Sequence, residues 1–197
     1  MSVVLVTGGL GFIGSWVTRR LVEQGIQVVT YDAVQDYTLI KDVKDDVNCV
    51  VGDVLDLPNI IQTIKHYGID RVIHMATART ATTETNPGAG FRVNAEGTIN
   101  ALEASRLMDI KRIVYISSKG VYDIIRGEHA HPTYKPINED YPKGAGSVYG
   151  ATKLYMENMG LAYNRIYGLD FVALRFATVY GPGKQARWKA DMQSRII

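Results

Sequence analysis

The chain has one cysteine, Cys49, in 197 residues. An intrachain disulfide is therefore impossible, and a paired-cysteine zinc site cannot be built. No apolar run approaches the roughly 18–20 residues needed to cross a bilayer. The N-terminus passes from Met1-Ser2 straight into Val3-Val4-Leu5-Val6, without a basic lead, a long apolar stretch or a small-residue cleavage site. No export address is expected, and the reading is of a soluble, cytoplasmic chain. An excess of one charge is missing as well: 22 Lys and Arg stand against 20 Asp and Glu. A net charge of +2 gives no electrostatic reason to expect a nucleic acid or a membrane surface as partner. Repeats and low-complexity tracts are absent, and 46% hydrophobic with 21% charged residues is the balance of a chain that folds.

What is present is a recurrence of short β-branched runs: Val3-Val4-Leu5-Val6, Ile26 to Thr30, Val47 to Val51, Arg71 to His74, Ile113 to Ile116 and Phe171 to Leu174. Runs of this length and composition predict buried strands. Helical spacing lies between most of them. Leu57 to Tyr67 puts Ile60, Ile61 and Ile64 on one face, and Thr98 to Met108 is read the same way with Ile99, Leu102 and Leu107. Alternating strands and helices predict a parallel sheet with right-handed crossovers and helices on both faces, a doubly wound α/β fold. About thirty residues rich in Pro, Gly, Tyr and His separate the Ile113–Ile116 strand from the helix that starts near Ser147, and a loop this long is usually functional. After Tyr180-Gly181-Pro182-Gly183, a further helix is expected over Ala186 to Ile197.

The run Thr7-Gly8-Gly9-Leu10-Gly11-Phe12-Ile13-Gly14 follows the first strand and opens a helix. Gly9, Gly11 and Gly14 have the spacing that lets backbone approach a pyrophosphate, with the helix N-terminus supplying free N–H groups. Asp32 ends the second strand 18 residues after Gly14. A carboxylate there accepts from both ribose hydroxyls and repels a 2′-phosphate, which favours NAD over NADP.

With these glycines and Asp32, the chain carries Gly52-Asp53-Val54, His74-Met75-Ala76-Thr77, Val93-Asn94-Ala95-Glu96-Gly97-Thr98, Tyr115-Ile116-Ser117-Ser118, Tyr149-Gly150-Ala151-Thr152-Lys153 and Leu174-Arg175 leading to Val179-Tyr180-Gly181-Pro182. In this order and spacing it resembles the extended short-chain dehydrogenase/reductase family, the NAD-dependent epimerase/dehydratase group. The resemblance implies a Rossmann-like domain over 1–183 and, from 184 to 197, the start of a substrate lobe that the chain does not complete. It implies that Gly8, Gly11, Phe12, Ile13, Gly14 and Asp32 hold the cofactor, with Asp53 and Val54 at the adenine. Met75, Ala76, Thr77 and Ser117 would line the groove, and Arg79 stands where relatives place a Lys near the cofactor ribose. Asn94 would brace the site and count among the cofactor contacts. Ser118 would be the catalytic hydroxyl, Tyr149 the acid/base and Lys153 its helper, the last two also touching the cofactor, with Ser118 and Thr178 toward the substrate.

Tyrosine, with a pKa near ~10, is a poor base unless a cation stabilises its phenolate. Lys153 lies one helical turn beyond Tyr149 on the same face and is expected to do so. The Tyr-x-x-x-Lys spacing also fits Tyr37-Lys41, Tyr115-Lys119 and Tyr180-Lys184. The second begins in a strand and the third contains Gly-Pro-Gly, so Tyr149 alone has the right setting.

His129 and His131 flank Ala130 without a third ligand at a recognisable spacing, and no metal is expected. His74 reads as a hydrogen-bonded core residue. Tyr155, Met156, Met159, Tyr163 and Tyr167 give the Tyr149 helix apolar surface on more than one side. The resemblance pairs that helix, 148–167, with the helix over 94–108 across a homodimer. Relatives that dehydrate nucleotide sugars carry Asp-Glu after the catalytic hydroxyl, whereas Lys119-Gly120 stands here. That disfavours dehydration, and the prevalence of epimerases in the family the chain resembles makes a nucleotide-sugar epimerase that removes and returns a hydride the leading expectation. A net NAD-dependent dehydrogenase of a secondary alcohol and an NAD-binding fragment without turnover are the alternatives.

Overall fold

A computed structural model describes residues 2–184. Six strands form one parallel sheet: β1 (Val3–Thr7), β2 (Gln27–Asp32), β3 (Val47–Val51), β4 (Arg71–His74), β5 (Arg112–Ser118) and β6 (Phe171–Phe176), in the order β3-β2-β1-β4-β5-β6. The order reverses at β1, and this switch point opens a crevice beyond the carboxyl ends of β1 and β4. Every expected strand is found; β3 and β4 end where expected, and β1, β2, β5 and β6 run one or two residues further at their carboxyl ends.

Helix α1 (Phe12–Glu23) packs on β1 and β2, over a small cluster of Val4, Val6 and Val28. The larger core lies on the other sheet face. There α2 (Leu57–Tyr67), α5 (Gly97–Leu107) and α6 (Val148–Tyr167) bury Leu5, Val29, Val72, Ile113, Tyr115 and Phe171. Two short helices, α3 (Thr80–Thr85) and α4 (Pro87–Phe91), precede a π-helical turn over Arg92–Glu96 that runs into α5. Their Thr-, Gly- and Pro-rich sequence carries no apolar period.

Two apolar assignments change. Leu107 lies five residues beyond Leu102, about 140° round the helix, so Leu102 is buried while Leu107 is exposed. Met156 is wholly buried in the main core and adds nothing to the outer surface of α6. The long connection 119–147 keeps only two short 3₁₀ turns, and its base is zipped by hydrogen bonds from Asp123 N to Pro142 O (2.9 Å) and from Gly144 N to Val121 O (3.2 Å). His129 is used inside that loop, its Nδ1 2.9 Å from the Lys135 carbonyl. No described helix is long and apolar enough to cross a membrane. The helix expected over Ala186–Ile197 lies outside the described residues, as does all but Lys184 of the lobe expected to begin at 184.

Candidate active site

At the end of β1 the chain turns through Gly8 at φ +72°, a conformation that favours glycine. The turn then closes on itself. A Cβ on Gly14 would lie 2.1 Å from the Gly8 carbonyl oxygen, so α1 can approach the loop this closely only without a side chain there. Among the described residues no side chain caps α1 at Gly11, and its first turn contains no acid. The first N–H groups of the helix and the positive end of its dipole are thus left for an anion. At the tip of β2, the Asp32 carboxylate accepts from the Leu10 N–H at 3.1 Å, which aims it across the mouth of the same loop.

These features form one end of a cleft of about 1420 Å³. Gly8, Gly11, Phe12, Ile13, Gly14 and Asp32 line it, followed by Asp53 and Val54 after β3, then Met75, Ala76, Thr77 and Arg79 after β4. At the other end are Ser117, Ser118, Tyr149, Lys153 and Thr178. Tyr31 supports the floor: its hydroxyl lies 3.0 Å from the Asp53 carbonyl and 2.7 Å from the Asn59 side chain. An anion-binding helix end, a carboxylate poised for ribose and a long cleft between them fit a dinucleotide. Val34, Phe176, Val179 and Lys184 are among the further lining residues, and no site role was expected of them from the sequence.

Asn94, expected to brace the site and to count among the cofactor contacts, is not among the residues that line the cleft. Buried in the π-helical turn, its Oδ1 accepts from Thr77 Oγ1 (2.9 Å) and Ala78 N (2.7 Å), and its Nδ2 donates to the Ala78 carbonyl (3.0 Å). It fixes the Thr77–Ala78 segment from behind. Ser117 turns its side chain away from the cleft as well, donating to Glu157 Oε1 at 2.5 Å.

Ser118 ends β5, and its Oγ accepts from the Gly120 N–H at 3.1 Å. Tyr149 enters from the first turn of α6, whose start is fixed by Ser147 accepting from the Gly150 N–H at 3.0 Å. One turn on, Lys153 is 2% exposed, donates to the Ile116 carbonyl at 2.8 Å and holds its Nζ 5.6 Å from the Tyr149 ring centroid. Burial pushes the Lys153 ammonium down to about 7. Burial also pushes the Tyr149 phenol up, opposed by the neighbouring hydroxyls of Thr77 and Ser118. The expected lowering of Tyr149 by the lysine charge is therefore not the governing influence, because both groups are withdrawn from water.

Next to this group lies an ion pair between a buried carboxylate and a partly buried guanidinium. Arg175 on β6 forks onto Glu157 of α6 (Nη2–Oε2 2.8 Å) and reaches the Tyr122 hydroxyl (3.0 Å) and the Glu139 carbonyl (2.8 Å). It ties α6, the outer strand β6 and the long loop together. Glu157 had no assigned role in the sequence. His74 is wholly buried between Thr7 Oγ1 (2.8 Å) and Thr98 Oγ1 (3.1 Å), and burial drives it down to about 3, so it stays neutral.

The fold and cleft define a doubly wound, dinucleotide-binding α/β domain with a Ser, Tyr and Lys grouping at the far end of the cleft. The sequence model of the NAD dependent epimerase/dehydratase family matches residues 4–197, and the chain belongs to that family. A putative UDP-glucose 4-epimerase of Methanocaldococcus jannaschii is 34% identical over 199 residues, which cover 98% of this chain and 61% of that protein. UDP-glucuronate 4-epimerase 2 of Arabidopsis thaliana is 34% identical, across 91% of this chain and 42% of that protein. In structure, the UDP-glucose 4-epimerase of Brucella ovis in complex with NAD superposes with a TM-score of 0.81 at 31% identity, covering 90% of this chain and 52% of the other. The chain spans about half the length of the relatives it matches.

Proposed function

We propose that the chain is the cofactor-binding and catalytic half of an NAD-dependent enzyme that inverts a secondary alcohol carbon of a nucleotide sugar. The observation that carries this reading is the single cleft that joins an uncapped helix end and Asp32 to Ser118, Tyr149 and Lys153. The names of its relatives, UDP-glucose and UDP-glucuronate 4-epimerases, support the substrate class.

NAD, when bound, supplies a reversible acceptor for hydride from the substrate carbon. Around it, the N–H groups of α1 hold the pyrophosphate, Asp32 accepts from the ribose hydroxyls, and Asp53 and Val54 flank the base. Tyr149 takes the proton from the substrate hydroxyl and gives it back after the carbon is reduced from its other side. Ser118 hydrogen-bonds the same oxygen, and Lys153, held by the Ile116 carbonyl, favours the ionised tyrosine. Asn94 keeps Thr77 beside Tyr149. Thr178 lies toward the sugar.

The reading includes a homodimer through the 94–108 and 148–167 segments. Leu107, Leu161, Ile166 and Tyr167, each about half exposed or more, support it as apolar surface on α5 and α6. It also includes a cytoplasmic location, where NAD and nucleotide sugars are available.

The test incubates the chain with NAD and UDP-glucose or UDP-glucuronate and follows the sugar by proton NMR alongside NADH absorbance. A C4-inverted sugar without accumulating NADH, abolished by Tyr149→Phe, is expected. NADH appearing in step with a ketone product, or NAD binding with an unchanged sugar, would overturn the epimerase reading.

A further inference from the structure

We propose that Tyr115 is a positioning residue that holds the Lys153 ammonium over the face of its ring, between the Ile116 carbonyl and Tyr149. The importance of this for the reaction rests on the role proposed above for Lys153, but the contact itself stands on geometry alone.

Lys153 brings three N–H donors and a charge into a site it scarcely shares with water. The Ile116 carbonyl takes one donor. The titratable groups around the ammonium offer little more. On α6, Glu157 is committed to Arg175 of β6 and to Ser117, and Tyr149 is protonated near neutral pH. On β4, His74 is neutral. Among the described residues no carboxylate forms an ion pair with Lys153. What does face it is the Tyr115 ring of β5, whose centroid lies 4.7 Å from Nζ, well within the ~6 Å reach of a cation–π contact.

The ring is held in place for this. Tyr115 is wholly buried, stacked at 6.1 Å on His74 and at 6.2 Å on Phe171, with interplanar angles of 17° and 26°. Its hydroxyl, near Thr98, makes no hydrogen bond of normal geometry among the described residues. An orphaned buried hydroxyl is a cost, so the face of the ring is the part its neighbours use. Two residues along, the same strand carries Ser117 and then Ser118, so β5 supplies the lysine's aromatic floor, its carbonyl partner and the catalytic hydroxyl in four consecutive positions.

The test needs neither NAD nor sugar. Lysine labelled with ¹³C at Cε is titrated by NMR in the chain, the Lys153 signal being the one absent from Lys153→Met. Position 115 is then changed to Phe and, by site-specific incorporation, to mono-, di- and trifluorinated Phe, which keep the ring's shape while draining its face of electron density. Tyr115→Phe is expected to titrate within about 0.3 pH unit of the parent, and the fluorinated series to fall stepwise by roughly one unit in all, tenfold in protonation. Tyr115→Leu, where it folds, joins the low end of the series. A series in which Lys153 titrates at the same pH throughout, or in which Phe shifts it as far as trifluoro-Phe, overturns the proposal. NAD titration of the same samples separates the two readings: a flat series with intact NAD binding refutes this contact alone, and a graded series without NAD binding refutes the cofactor reading alone.

Discussion

Gly14→Ala is the substitution for which the structure gives the most definite cost. The new Cβ would stand 2.1 Å from the Gly8 oxygen, 2.8 Å from Gly9 Cα and 2.9 Å from Gly8 C. All three are backbone atoms, so no side chain can swing aside. Relief requires α1 to back away from the glycine loop by roughly an ångström, against its packing on β1 and β2. Overpacking of a tight site costs about 1–3 kcal/mol, and a backbone clash belongs at the upper end. For a domain of this size ~3 kcal/mol lowers the melting temperature by roughly 6–12 °C. The same displacement moves the N–H groups of Phe12 and Ile13 from the pyrophosphate position, so NAD affinity should fall at least about tenfold. Gly146→Ala is the control, because nothing lies within 4 Å of its Cβ position and it has no positive φ. It should be neutral or stabilise by about 0.4–1 kcal/mol. Thermal melts and calorimetric NAD titrations of both variants decide the matter. A Gly14→Ala protein that melts within 2 °C, roughly the effect of 1 kcal/mol, of the parent and binds NAD equally would refute the close-approach argument.

Arg175→Met should destabilise by about 3 kcal/mol in urea unfolding, because it leaves Glu157 buried without its partner, and Arg175→Met with Glu157→Met should recover most of that loss. Equal stability of the single and double variants would deny that the two charges act as a coupled unit. His74 gives a pH dependence of known sign. The unfolded chain takes up a proton near ~6.5 and the folded chain only near about 3, so the unfolded state binds more protons between these values and stability falls as the pH drops through this window. His74→Gln should flatten that slope by up to about 1.4 kcal/mol per pH unit, and identical slopes in the two proteins would show that His74 titrates normally.

Much of the site could be read from the sequence because its signals are local. Gly8 to Gly14, Asp32 and the Tyr149–Lys153 turn each depend on residues a few positions apart, and strand and helix periodicity places them at one sheet edge. The parts that were missed depend on distance or depth. The Glu157–Arg175 fork joins residues 18 positions apart on different elements, and Glu157 looks like an ordinary surface residue until the fold buries it. Asn94 was expected to brace the site and to count among the cofactor contacts; that it braces Thr77 from the π-helical turn behind it is a detail of helix winding that no residue pattern encodes. The partner of Lys153 is a backbone carbonyl, which has no signature in sequence. Leu107 failed for a simpler reason: a five-residue step was counted as one face of a helix.

The central claim is that this chain grips NAD through the α1 N-terminus and Asp32. Calorimetric titration of the chain with NAD and with NADP, repeated on Asp32→Ser, tests it most directly. The account predicts saturable NAD binding at one site per chain, NADP binding weaker by at least about tenfold because its 2′-phosphate meets the Asp32 carboxylate, and a narrowed gap in the variant. Equal binding of NAD and NADP by the parent chain, or no binding of NAD, would contradict it.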